Sequence, residues 1–389
     1  MKLWGLFDPA IRLDPYSRYR ELGRRGRSLH DEAGAHLFLR YPDCAQLLRH
    51  SAFGHSPAGR SEREPTRSFL FLNPPEHTRL RRLVAAAFTP RTIEGLRPRI
   101  EHIVGELLDA AVTAEEVDLV SGFARPLPVT VICELLGIPD EDRSKFPGWS
   151  HDLAQAFDPD LDIHLPPGVL DRRDRAHRSF TEYFLALREQ RSRRPGPDLI
   201  SRLVAADGGM SGDTLRPDEF VATCELLLLA GHETTVNLIG NAIVELIRRP
   251  NLYAALRDRP SLVDAVVEET LRMHPSVQFV PRLALTSTTF AGHPIAEGDL
   301  VIALVAAANR DPEVFPDPDT FDLQRPAAHH LSFGAGPHYC LGAPLARLQT
   351  TIALTILLAR GCVEAMGSPT YSDNNVLRGP ATLPVRIRS

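Results

Sequence analysis

Phe333-Gly334-Ala335-Gly336-Pro337-His338-Tyr339-Cys340-Leu341-Gly342 stands between an irregular, proline-rich region and an apolar stretch with helical spacing. Two glycines within three residues predict a tight loop with backbone angles that side chains resist. A cysteine follows, and then a helix opens with Pro344 in its first turn, where a missing N–H costs nothing. A thiol at a helix start meets the positive end of the dipole and loose N–H donors, which favour the thiolate. Such a thiolate can be an axial ligand to iron, its potential tuned by donors to sulfur. For an isolated cysteine a buried structural role is the usual alternative, and it is preferred for Cys44, Cys133, Cys224 and Cys362. At Cys340 that alternative explains neither the glycines nor His338. A phosphate loop is excluded, because GxxxxGK[ST] is absent and Gly334/Gly336 lack a third glycine.

Upstream lies the longest helical stretch, Pro217–Arg248, with Asp218 and Glu219 in its first turn and Arg248 in its last, as the dipole favours. Its middle reads Leu226-Leu227-Leu228-Leu229-Ala230-Gly231-His232-Glu233-Thr234-Thr235. A glycine and two threonines weaken a helix locally, so it can bend there or open a backbone bond to water. An acid beside an alcohol can then relay protons to a reacting oxygen. A buried helix with Glu233 paired elsewhere is an equal alternative on these residues alone. His232 reads as hydrogen-bonded or pocket-lining rather than as a metal ligand. Next comes Glu269-Thr270-Leu271-Arg272, whose acid and base share a helical face; exposed, such a pair contributes only about 0–1 kcal/mol. Pro74-Pro75-Glu76-His77-Thr78-Arg79-Leu80-Arg81-Arg82 places His77 and Arg81 on one side of another helix.

The ten-residue cysteine segment resembles the haem-binding loop of the cytochrome P450 family, Phe-Gly-x-Gly-x-His-x-Cys-x-Gly, and the other segments match that family in order over nearly the whole chain. The resemblance implies a mainly α protein with minor antiparallel β structure, the P450 fold, as one large domain over residues 1–389. It implies Cys340 as the proximal thiolate ligand of haem b iron, with Phe333, Gly334, His338 and Gly342 forming the loop. It makes Glu233 and Thr234 the oxygen-activating acid and alcohol. It joins Glu269, Arg272 and Arg325 as a buried structural cluster behind the loop, and assigns His77, Arg81, Arg282 and His338 to the haem propionates. The family usually has Asp where Asn73 stands, which would loosen a local cap. The substrate pocket is expected from Phe53–Leu72, Ala154–Arg178, Leu226–Thr235, Ser276–Val280 and the tip near Asn375–Leu377, with Phe71, Leu72, Leu227, Ala230, Val277, Phe279, Val280 and Val376 as lining residues. The activity implied is hydroxylation or epoxidation of a small organic substrate with O2 and two electrons from NAD(P)H, delivered by a ferredoxin and ferredoxin reductase. Arg79, Arg82 and basic residues beyond the loop would steer the acidic carrier. A tailoring step in secondary metabolism is expected, on a polyketide-like or acyl substrate that is free or held on an acyl or peptidyl carrier protein. The rival classes are a peroxide-driven peroxygenase, disfavoured by Glu233-Thr234, and a non-enzymatic haem sensor or electron carrier, disfavoured by lid-like stretches.

Composition agrees. The 389 residues are 43% apolar and 24% charged, ordinary globular values, with 44 basic and 49 acidic side chains giving a net charge of −5. A mildly acidic chain argues against a nucleic-acid binder. Five scattered cysteines fit a reducing cytoplasm. No apolar run approaches the roughly 18 residues of a bilayer span. Helices are expected over His77–Phe88, Ile93–Val112 (its start delayed by Pro98), Ser261–Met273 and Gly342–Ala359. Strands are expected over Ala35–Arg40, Leu283–Phe290, Leu300–Ala307 and, at a sheet edge because of Pro384, Leu383–Ile387. The Arg188–Arg194 run reads as a solvated face.

Overall fold

The computed structural model describes residues 5–388 apart from 7, 12, 31–33, 56–67, 86–87, 155–167, 207–214, 327–328, 373 and 375. The helices in chain order are α1 (Pro15–Arg25), α2 (Tyr41–Leu47), α3 (Glu76–Ala85), α4 (Pro90–Gly95), α5 (Arg97–Val112), α6 (Pro126–Leu136) and α7 (Phe146–Ala154). They continue as α8 (Val169–Arg193), α9 (Leu199–Ala206), α10 (Pro217–Ile247), α11 (Pro250–Asp258), α12 (Val263–Met273), α13 (Val305–Ala308) and α14 (Ala343–Arg360). The strands are β1 (Ser28–His30), β2 (Ala35–Phe38), β3 (Phe53–Gly54), β4 (Val117–Asp118), β5 (Val280–Ala284), β6 (Thr288–Phe290), β7 (His293–Ile295) and β8 (Leu300–Ala303), then β9 (Cys362–Ala365), β10 (Thr370–Tyr371), β11 (Pro380–Thr382) and β12 (Pro384–Arg388). No helix among the described residues is long and apolar enough to cross a membrane.

The chain divides into two compact units, each discontinuous in sequence: Met1–Phe53 with Arg97–Leu127 and Thr234–Ser389, and Gly54–Leu96 with Pro128–Glu233. The first is built on a five-stranded sheet ordered β1-β2-β8-β5-β3. Strands β2 and β8 are buried at every residue and run parallel, Ala35 opposite Leu300 through Phe38 opposite Ala303; as a strand covered on both faces favours, they are apolar apart from His36, whose Nε2 lies 3.2 Å from Asp299 Oδ2. Around them Phe38, Phe53, Phe290, Val301, Val305, Leu331 and Ala335 form a core. That core reaches the residues bordering the cysteine loop, so the loop is anchored on a rigid floor.

The second unit is helical. Its centre is an aromatic cluster in which Phe146 of α7 packs edge-on against Trp149 and against Phe180, Tyr183 and Phe184 of α8. The N-terminal half of α10 belongs here. Glu219 in its first turn accepts the Arg216 backbone N–H at 3.0 Å, closing a local cap.

Several element expectations need correction. Pro98 sits in the first turn of α5, so the stretch Ile93–Val112 breaks at Leu96 into α4 and α5. Leu283–Phe290 is not one strand: β5 pairs with β8, while β6 turns through Ala291-Gly292 into β7 as a separate hairpin. Leu300–Ala307 ends as a strand at Ala303 and becomes α13. The C-terminal strand is not an edge. β12 lies between β4 and β9, and Pro384 is tolerated as its first residue.

Candidate functional site

The cysteine loop is a succession of short turns. Gly334 N–H donates to Leu331 O at 2.8 Å, Tyr339 N–H to Gly336 O at 3.0 Å, and Cys340 N–H to Phe333 O at 2.8 Å. Gly334 and Gly336 both take φ of +70°. At Gly336 the need is also steric: a Cβ would sit 2.8 Å from Leu48 O and 3.0 Å from Arg49 Cα. Gly342 precedes α14, and a Cβ there would approach Cys340 Sγ at 4.0 Å. Cys340 is partly exposed, whereas Cys44, Cys133 and Cys224 are buried. Burial pushes the Cys133 thiol up to about 12 and those of Cys44 and Cys224 higher still, so these three are inert. Cys362, expected to be buried, is instead exposed on β9.

Behind the loop, Glu269 and Arg272 meet in a bidentate pair, Nε to Oε2 and Nη2 to Oε1, both 2.8 Å. Arg272 is 1% exposed, and its remaining N–H groups reach Asn309 O (2.9 Å), Pro318 O (2.8 Å) and Thr320 O (3.2 Å). Arg325 adds Nε to Glu269 Oε1 at 3.3 Å and donates to Pro316 O at 2.7 Å. The three residues named from the sequence therefore form one cluster. Asn309, which the sequence did not single out, carries it onward. Its Oδ1 accepts from Leu331 N–H at 2.7 Å, and its Nδ2 donates to Ser332 Oγ at 2.8 Å. The chain of bonds ends at the residues that start the cysteine loop.

A second clamp holds Phe333. Arg347 of α14 lies 4.5 Å over its ring and pairs with Glu268 at 2.6 and 3.0 Å, while His330 Nε2 lies 3.3 Å from the same carboxylate. Burial alone would raise the Glu268 carboxyl, but its bonds to His330 and Arg347 bring it down to about 2. A depressed carboxyl stabilises the fold above its unfolded value, and that contribution disappears as pH falls from about 4.5 through about 2. Discounted for the partial exposure of the pair, the effect is about 2 kcal/mol. Glu268→Gln is therefore expected to flatten the acid limb: urea midpoints of wild type should fall more steeply than the variant's between pH 5 and pH 3. Parallel limbs would contradict the clamp.

On α10, Glu233 and Thr234 are partly exposed within continuous helix, and Ala230 lies a turn earlier. The expected bend or break does not interrupt the helix, which runs on from Pro217 to Ile247. Ser276 Oγ donates to Thr234 O at 2.7 Å, so a side chain from outside the helix engages the carbonyl of the alcohol residue. His232 is fully buried, its Nδ1 3.1 Å from Ser150 Oγ, the hydrogen-bonded role expected of it. Leu227 is buried on the same helix.

The cations fall in both units. His77 and Arg81 lie one turn apart on α3, His77 2% exposed and Arg81 half-buried. In the other unit Arg282 on β5 is buried, its Nη1 donating to Pro281 O at 2.8 Å, and His338 sits in the short 3₁₀ turn before Cys340. Asn73 does not loosen its surroundings. Its Oδ1 accepts His55 N–H at 2.9 Å while its Nδ2 donates to His55 O at 2.7 Å, a reciprocal pairing that a carboxylate could not make. Arg79 is committed to the buried Glu219, which leaves Arg82 as the exposed one of the two expected steering residues.

Of the expected pocket residues, Val277 bridges to Leu377 and Gln278 N–H donates to Val376 O at 2.9 Å, so Val277 and Val376 lie on neighbouring segments, while Val280 starts β5, opposite Ala303. Phe279 is 0% exposed and belongs to the packed core rather than to a lining. Phe71 and Leu72 are half-buried in the other unit, Phe71 edge-on to His55. Much of Phe53–Leu72, of Ala154–Arg178, and Asn375 lie outside the described residues.

A thiol beside a glycine-bare approach, together with buried cationic side chains for carboxylates, fits a thiolate-ligated haem. Comparison with known proteins agrees. The family model described as Cytochrome P450 matches residues 40–382. The ligand-free crystal structure of Mycobacterium smegmatis CYP164A2 shares 45% identity and a TM-score of 0.90, covering 99% of each chain. P450BioI, in complex with acyl carrier protein ligated by hexadec-9Z-enoic acid, shares 34% identity at a TM-score of 0.91, covering 97% of this chain and 100% of its own. The mycinamicin IV hydroxylase/epoxidase of Micromonospora griseorubida is 39% identical over 365 residues, 90% of this chain and 89% of its own.

Proposed function

The chain belongs to the cytochrome P450 family and is a haem-thiolate monooxygenase; from that premise we propose that it hydroxylates or epoxidises an acyl or polyketide-like substrate as a tailoring step in secondary metabolism. The bound haem would supply the oxidising chemistry, activating O2 with two electrons and placing one oxygen atom on the substrate. Residues 1–389 would act as one P450 domain, since the family match runs through both units. The haem would be haem b, with Cys340 as the thiolate that holds its iron and His77, Arg81, Arg282 and His338 as propionate partners. Glu233 and Thr234 would hold and pass protons, with Ser276 fixing the Thr234 carbonyl and so the turn that carries both. NAD(P)H would deliver electrons through a separate ferredoxin and reductase in the cytoplasm.

The observation that carries this reading is the gathering of Cys340, its turn-locked loop and the Glu269–Arg272–Asn309 relay on one rigid floor. The substrate class rests on the relatives: one acts in mycinamicin chemistry and another is held with an acylated carrier protein. Titrating the ferric protein with free fatty acids and with the same chains on a carrier protein is expected to shift the iron spin state, read in the Soret band. A larger shift with the tethered chain would assign a carrier-bound substrate. No shift with either would remove the acyl assignment.

A further inference from the structure

A cavity of about 750 Å³ opens in the second unit, where α4, the end of α6, the Pro139–Arg143 segment, the end of α8 and the start of α9 converge. It lies wholly within that unit, and none of the residues assigned above to haem, proton transfer or substrate lines it. Its volume falls in the range of small-molecule sites.

Its charge is asymmetric. Four arginines line it, Arg91, Arg143, Arg191 and Arg202, against two carboxylates, Glu134 and Asp198. Both carboxylates are already matched. Glu134 takes Arg143 Nη1 at 3.0 Å, and Asp198 takes Arg191 Nε at 3.0 Å. Arg143 Nη2 also meets Asp140 at 2.5 Å, an acid 80% exposed at the rim. Arg191, part of the run expected to be a solvated face, is instead half-buried against the wall, its Nη2 donating to Gly137 O at 2.6 Å. Gly137 leaves no room for a side chain, since a Cβ would lie 2.4 Å from Asp198 Cβ. The wall is thus rigid and its own charges are balanced.

Arg91 and Arg202 are different. Both are exposed, and neither guanidinium has a hydrogen bond or ion pair among the described residues. Arg143 Nε–H is also buried without an acceptor there. Between these donors the lining is apolar: Leu96, Leu135, Ile138 and Leu199. We propose that this cavity binds a small organic anion, its phosphate or carboxylate held by Arg91 and Arg202 and its apolar part seated on Leu96, Ile138 and Leu199. Guanidinium forks match the oxygens of either headgroup, and an apolar body beside them selects an amphiphilic ligand over a bare ion.

The test is calorimetric titration of the ferric holoenzyme at 150 mM salt with octyl phosphate and, separately, with octanoate, while the Soret band is followed. One-to-one binding by at least one probe, with an unshifted Soret band, is expected. Arg91→Gln/Arg202→Gln should weaken it at least tenfold with no change in melting temperature, because neither side chain supports the fold. Octyl phosphate as the tighter ligand assigns a phosphate ester, and octanoate a carboxylate. Absence of saturable binding by both probes, binding that the double variant retains, or binding always accompanied by a Soret shift would overturn the proposal.

Discussion

Cys340→Ser is expected to abolish the red-displaced Soret band of the reduced carbonyl adduct and to lower turnover by about a thousandfold or more, about 4 kcal/mol of barrier. The reason is electronic. A hydroxyl in place of sulfur cannot give iron the charge that a thiolate gives. The loop itself should persist, because its turns are closed by backbone groups, Cys340 N–H to Phe333 O among them, and none needs the sulfur. Far-ultraviolet dichroism of the variant should therefore match wild type. The decisive measurement is the difference spectrum after reconstitution with haem: a Ser variant that keeps the displaced band would mean that another residue holds the iron.

Arg272→Met is expected to destabilise the protein by about 3–5 kcal/mol and to lower haem occupancy in the purified protein. Removing the arginine strands Glu269 as a buried, under-compensated charge, which costs far more than the pair contributes. It also strips carbonyl acceptors at Asn309, Pro318 and Thr320 of their donor, and the relay from Asn309 to Leu331 and Ser332 loosens at the start of the cysteine loop. Arg272→Lys should not rescue it, since one ammonium cannot serve five oxygens in fork geometry. Urea unfolding and the haem-to-protein absorbance ratio test this together. A loss below 1 kcal/mol with full haem content would show the cluster to be dispensable.

The cysteine loop and the Glu269–Arg272 pair were legible because local spacing encodes them: glycines where φ is positive, and charges three apart on one helix face. Arg325 was legible only through family resemblance, because nothing near Phe321–Arg325 marks it as a partner of Glu269. Asn309 and Arg347 escaped altogether, and Ser276 was expected only within a pocket segment, not as a partner of Thr234. They act across 22, 79 and 42 residues, on Leu331, Glu268 and Thr234 respectively, and a single chain carries no local sign of such pairings. The strands failed for a related reason. Leu300–Ala307 is an apolar run in which sheet and helix cannot be separated by periodicity, Leu283–Phe290 joins the ends of two strands across Leu285-Thr286-Ser287 with no glycine or proline to mark the break, and the central place of β12 depends on β4, more than 260 residues earlier. Asn73 shows the limit of reasoning by departure from a family pattern: the departure creates a two-way bond that the usual acid cannot form.

The crowding at Gly336 sets a boundary for anyone reshaping this catalyst. Saturation libraries spanning the ligand loop will return only the parental residue there, because every alternative collides with the main chain at Leu48 and Arg49. Productive diversity has to be sought elsewhere, and Arg347 offers a softer handle: it touches the face of Phe333, so altering it retunes the neighbourhood of the sulfur without dismantling the turn that presents it.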